Sequence, residues 1–71
     1  MHSQHLIDII KKRRDNLDVT QDMLADISDV GLRTLKQFES GKGNPTLETL
    51  NKLGNALGME LIFRVKNVTI K

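Results

Sequence analysis

Seventy-one residues, no cysteine and a net charge of only +2 describe one small domain that holds together without disulfides or cysteine-bound zinc and gains from any partner it can pack against. No apolar run approaches the roughly 20 residues needed to cross a bilayer, and the opening MHSQHL is neither basic nor apolar enough to direct export, so the expected location is cytoplasmic. The near balance of charge says little about nucleic acid, but its distribution says more. Lys11, Lys12, Arg13 and Arg14 are consecutive, and Arg33, Lys36 and Lys42 cluster further on. A plain solvated face explains Lys11 to Arg13 equally well.

In chain order, the first element is a helix from a Ser3 cap to about Leu17, with Leu6, Ile10, Arg14 and Leu17 on one face and Ile7 and Ile9 at its edges. An arginine on an apolar stripe must meet a carboxylate, because an unpaired buried charge is strongly unfavourable. Glu39, on the inner side of a later helix, is the natural candidate, and a bidentate Arg14–Glu39 pair ties the two helices together. Asp18 takes the left-handed position that follows a helix end.

The second helix starts at Thr20, whose hydroxyl caps a free N–H while Val19 and Leu24 form a hydrophobic staple. Leu24 and Ile27 are its buried face. Ser28, Asp29 and Val30 turn the corner, and a third helix begins at Gly31 with Val30 and Leu35 as a second staple and Leu35 and Phe38 facing inward. Two short helices joined this closely have the spacing of a helix-turn-helix, in which the second helix enters the major groove of DNA. Leu32, Arg33, Lys36 and Gln37 are then left toward the groove. Arg33 has the planar fork that pairs with guanine O6 and N7, Gln37 can bond adenine N6 and N7, and Leu32 can touch a thymine methyl. Gln21, opening the preceding helix, is placed to hold a phosphate, and Lys36, Lys42 and Asn44 to grip the backbone.

Gly41-Lys42-Gly43 lacks the spacing of a phosphate-binding P-loop and no strand precedes it, which excludes that mode of nucleotide binding. A fourth helix begins at a Thr46 cap, carries Leu47, Leu50, Leu53 and Leu57 on its core face and ends at Gly58. Gly54 inside it costs roughly 1 kcal/mol relative to alanine, which calls for a close approach or a bend. From Glu60 to Lys66 the spacing changes to alternation, with Leu61, Phe63 and Val65 on one side and Glu60, Ile62, Arg64 and Lys66 on the other, as in a strand. A lone strand leaves its ladder unpaired, and pairing with the same strand of a second copy about a twofold axis answers that need. Dimerisation is therefore assigned to Leu61, Ile62, Phe63 and Val65, with an intrachain hairpin to Val68-Thr69-Ile70 as the alternative. The expected division is a DNA-binding unit over 1–58 and a strand and dimerisation tail over 59–71.

Thr20-Gln21, Leu24-Ala25, Val30, Leu35, Phe38-Glu39, Gly41-Lys42 and Pro45-Thr46-Leu47, taken as an ordered set, resemble the Cro/phage-repressor (Xre-like) helix-turn-helix family over roughly Leu6 to Leu57. Asp29 and Gly31 depart from it, standing where the family usually has a glycine and a serine or threonine cap. The resemblance implies an all-α, lambda-repressor-like bundle of four to five short helices, double-stranded DNA as ligand, association with the nucleoid and an arginine–glutamate pair at Arg14 and Glu39. A C-terminal strand after such a core looks more narrowly like the HipB-type antitoxins, which pair strands across a dimer, bind operator DNA and sequester a toxin.

No cofactor is called for. His2 and His5 have a His-x-x-His spacing but lie at a chain end without a third ligand, so no metal site is expected, and no Ser, Asp and His spacing suggests a catalytic triad or an enzyme. The expected function is a homodimeric repressor of a palindromic operator, controlling its own operon as the antitoxin of a cognate toxin. A stand-alone regulator without a toxin is the first alternative. A protein-interaction adaptor that kept the fold and lost DNA binding is the second.

Overall fold

Four helices, α1 (Gln4–Asn16), α2 (Gln21–Ser28), α3 (Leu32–Glu39) and α4 (Leu47–Ala56), make up the computed structural model, which describes residues 4–67. The expected all-α class is what is found, with no strand among the described residues. The Ser3 cap, His2 and the Val68–Ile70 segment lie outside them.

Local chemistry starts and stops each helix. Thr20 and Thr46 each accept a hydrogen bond from the backbone N–H three residues on, at 3.1 Å from Met23 and 3.0 Å from Thr49, satisfying donors that a helix start leaves free. Gly31 opens α3 with no side-chain cap. Asp18 (φ 56°) and Asp29 (φ 61°) both adopt the left-handed conformation, which most L-residues resist at a cost of roughly 1–2 kcal/mol but Asp tolerates better. Asp29→Gly is therefore expected to raise stability by at most about 1 kcal/mol, since relief of strain is offset by glycine's greater unfolded-state entropy. A melting-temperature comparison checks it. At the end of α4, Gly58 (φ 74°) turns the chain back, with Met59 N–H on the Gly54 carbonyl at 2.8 Å and Gly58 N–H on the Asn55 carbonyl at 3.1 Å, a Schellman closure. An added Cβ at Gly54 would stand 3.6 Å from the Met59 carbonyl oxygen, so this return runs close by without demanding a glycine there.

The core is one cluster: Ile7 and Ile10 of α1, Leu24 of α2, Val30 of the corner, Leu35 and Phe38 of α3, and Leu53 and Leu57 at and just after the end of α4. α2 packs on α3 and α4, and α1 packs on α3. Three expected core positions are corrected. Leu17 lies beyond the end of α1, in the turn that leads to Asp18, and is exposed. Ile27 is 59% exposed, because the inward row of α2 runs from Leu24 to Ser28 rather than to Ile27. Ser28 holds that place because its Oγ accepts the Val30 N–H at 3.3 Å and so shapes the corner. Leu47, in the first turn of α4, is 61% exposed; the inward residues are Leu53 and Leu57, with Leu50 half-buried. On α1, the buried pair is Ile7 and Ile10, while Leu6 is half-buried.

After Met59 the chain leaves the helical body. Residues 60–67 form neither helix nor strand, so the strand expected over Glu60–Lys66 is absent from the single chain, which offers it no ladder partner among the described residues. The radius of gyration of 13.7 Å exceeds the roughly 11 Å of a compact chain of this size, and the long axis of 51 Å stands against 24 and 19 Å across.

Candidate nucleic-acid interface

α3 is held by a buried polar network. Glu39, its side chain 4% exposed, accepts from Arg14 Nε at 2.8 Å on Oε2 and from Arg14 Nη2 at 2.9 Å on Oε1, a bidentate pair. Arg14 Nη1 donates to the Val19 carbonyl at 2.8 Å, and Gln21 Nε2 to Glu39 Oε1 at 3.0 Å. The hydrogen bond to Glu39 holds the Arg14 guanidinium above its ordinary pKa, against the opposing effect of burial. One carboxylate thus joins the end of α3 to α1 and to the first residue of α2. Among the described residues no buried side-chain polar atom lacks a partner, as a network must be if it is to stabilise rather than penalise the fold.

With Leu35, Phe38 and Glu39 turned inward, the opposite face of α3 carries Arg33, Lys36 and Gln37, all exposed, while Leu32 at its first turn is half-buried. The helix period puts these three polar residues on one side. α3 ends in the same closure as α4. Gly41 (φ 81°) is left-handed, Gly41 N–H bonds the Phe38 carbonyl at 3.1 Å, and Lys42 N–H bonds the Gln37 carbonyl at 2.9 Å. That closure sets Lys42 beside Gln37, and with Asn44 and Thr34 they surround one shallow depression. Arg33, Lys36, Gln37, Lys42 and Asn44 are thereby brought to one region, and their free donors suit phosphate and base edges.

Gln21 stands differently from the others. One N–H of its amide is donated to Glu39, so the side chain braces α3, while its second N–H and its oxygen are left for other partners. Two contributions are not legible in the sequence. Arg13 Nε donates to the Leu57 carbonyl at 3.0 Å, tying α1 to the end of α4, and a carbonyl partner leaves no trace in residue identity. Thr34 lines the same depression as Gln37, Lys42 and Asn44 because the loop after α3 folds back beside it, which spacing along one helix does not reveal. Asp22, Asp26 and Asp29 line a groove between α2 and the start of α3 and make that side acidic.

His5 is exposed, and no group of three metal-ligating side chains occurs among the described residues. No described helix is long and apolar enough to cross a membrane.

Two short helices at a three-residue corner, the second presenting a polar face from a braced base, define a helix-turn-helix module. The chain belongs to the Xre-like helix-turn-helix family: the helix-turn-helix family model matches residues 10–63, running past α4 into the tail. It is 35% identical over 52 residues to the cryptic phage CTXphi transcriptional repressor RstR of Vibrio cholerae serotype O1, a match covering 73% of this chain and 46% of that protein. It is also 35% identical over 57 residues to the SPbeta prophage-derived uncharacterized HTH-type transcriptional regulator YonR of Bacillus subtilis, covering 80% of this chain and 53% of that one. The chain spans about half the length of these curated relatives.

Proposed function

We propose that this protein is a transcriptional repressor that binds a palindromic double-stranded DNA operator as a homodimer, α3 of each copy lying in the major groove of one half-site. The exposed Arg33, Lys36 and Gln37 face, fixed from behind by the Arg14–Glu39 pair, is the observation that carries this reading. Arg33 and Gln37 read bases, with Leu32 beside them; Lys36, Lys42 and Asn44 hold phosphates. A twofold dimer would set its reading helices one helical turn apart, about 34 Å. Both named relatives are phage or prophage regulators, which favours a stand-alone repressor over an antitoxin. The antitoxin role therefore stands second, supported by the free apolar tail, and co-purification of a neighbouring gene's product with the full chain decides between them.

The test is fluorescence anisotropy with DNA from upstream of the protein's own gene beside unrelated DNA, at about 50 and 200 mM salt. Selective binding that weakens steeply with salt is expected, whereas no binding at the lower salt leaves the adaptor reading in its place. Lys42→Ala should weaken both DNAs alike and reduce the salt slope by about 1, as the loss of one phosphate contact requires. A loss confined to the operator would move Lys42 among the base readers.

A further inference from the structure

An apolar groove runs between α1 and α4, lined by Leu6, Ile9, Leu50, Gly54, Met59 and Leu61, with Glu60 at its edge. Beyond it the tail projects with Phe63 99% and Val65 93% exposed. Side chains of that size are rarely left wholly in water without a partner, and nothing in the described chain covers them. Leu61 both lines the groove and shares its alternating face with Phe63 and Val65, so the groove and the apolar face of the tail form one continuous surface.

We infer that this surface is closed by the tail of a second copy, in an antiparallel ladder over residues 60–66 whose twofold axis passes through Phe63, with Val65 of the second copy opposite Leu61 at the mouth of the groove. The inference rests on the homodimer reading and adds its register. Symmetry limits the choices: about a twofold axis normal to the sheet, directly opposed residues point to the same face, so one residue must face its own copy across the axis. Centring on Arg64 sets two guanidinium groups against each other, which opposes pairing. Centring on Ile62 confines the ladder to the five residues 60–64, because carrying it on to Val65 and Lys66 would need Met59 and Gly58 as their partners. Gly58 is left-handed and the Met59 N–H is already bonded to Gly54, so neither is free to join. Centring on Phe63 uses only residues beyond that closure. It also places Glu60 opposite Lys66 twice, joins the two Phe63 rings and keeps Leu61, Phe63 and Val65 of both copies on the face that meets the groove.

Charge exchange reads the register without touching the core, since Glu60, Arg64 and Lys66 are all exposed. E60K and K66E should each weaken dimerisation by roughly tenfold, because each turns two opposed pairs from attractive to repulsive, and E60K/K66E should recover most of the loss. Sedimentation equilibrium measures it, and an unchanged melting temperature at monomeric dilution shows that each variant folds. Recovery by E60K/R64E instead would place the axis at Ile62 and overturn the inference, as would a parent chain that stays monomeric. Because the protein has no cysteine, F63C gives a second reading. Residues facing themselves across the axis lie within disulfide reach, whereas Ile62 and its copy are about 8 Å apart in this register. Oxidation should link F63C and spare I62C; the reverse order overturns the register. Neither measurement involves DNA, so failed operator binding with E60K/K66E recovery would remove the repressor reading and leave the dimer, and the converse would do the opposite.

Discussion

Glu39→Ala is expected to lose about 3–5 kcal/mol of stability, because it leaves the Arg14 guanidinium in place without the carboxylate that offsets its desolvation. For a chain of 71 residues, at roughly 0.05–0.15 kcal/mol per residue, that is a large part of the total. The variant should melt at a markedly lower temperature than the parent by circular dichroism. Glu39→Gln should lose less, since an amide oxygen still accepts one Arg14 hydrogen bond while its NH₂ meets the remaining donors. If the cost lies in orphaning a charge, then removing both partners, as in Arg14→Met with Glu39→Leu, should restore much of what either single change loses. A double variant as unstable as the sum of the two would show that the pair acts by geometry alone. The pH dependence has a definite sign. Arg14 is held above its ordinary value, so its linked stability is fully present below the ordinary arginine range and is lost only as the pH rises through the raised value. Titration through the lysine range should leave that contribution intact.

This network also shows how far the residues alone could be read. Arg14 on an apolar stripe demanded a carboxylate, and Glu39 was the one acid on the inward row of a neighbouring helix, so the pairing followed from charge and period. Gln21 as a third member did not follow, because an amide at a helix start is equally at home in solvent. Ile27 and Ser28 show a second limit. A hydrophobicity pattern assigns the inward row to the larger apolar side chain, but the helix period from Leu24 brings position 28 inward rather than 27, and there the Ser28 hydroxyl accepts the Val30 N–H. Leu47 marks a related limit, since at the first position of α4 it sits at the rim whatever the stripe suggests. The tail marks a third limit: its alternation was plain, but ladder formation needs a second strand, and strand pairing is a property of two segments rather than one.

Arg33→Ala should cost about 1–3 kcal/mol at the operator while leaving unrelated DNA little affected, a loss of roughly 5- to 150-fold in affinity. The division between specificity and general attraction is the decisive part, and Arg33→Lys separates the two. Lysine keeps the positive charge but loses the planar fork that matches guanine O6 and N7. R33K should therefore retain the parent's salt slope and its affinity for unrelated DNA while losing most of the selectivity that Arg33→Ala loses. Arg33 is exposed on the free face of α3, so neither substitution disturbs the core, and equal melting temperatures for all three proteins exclude a folding effect. Measured beside Lys42→Ala, the series sets two kinds of contact against each other: the lysine's removal should change the salt slope and spare selectivity, the arginine's replacement the reverse. An R33K variant with the parent's full selectivity would show that position 33 acts through charge alone, and would shift base reading to Gln37 and Leu32 on the same helix.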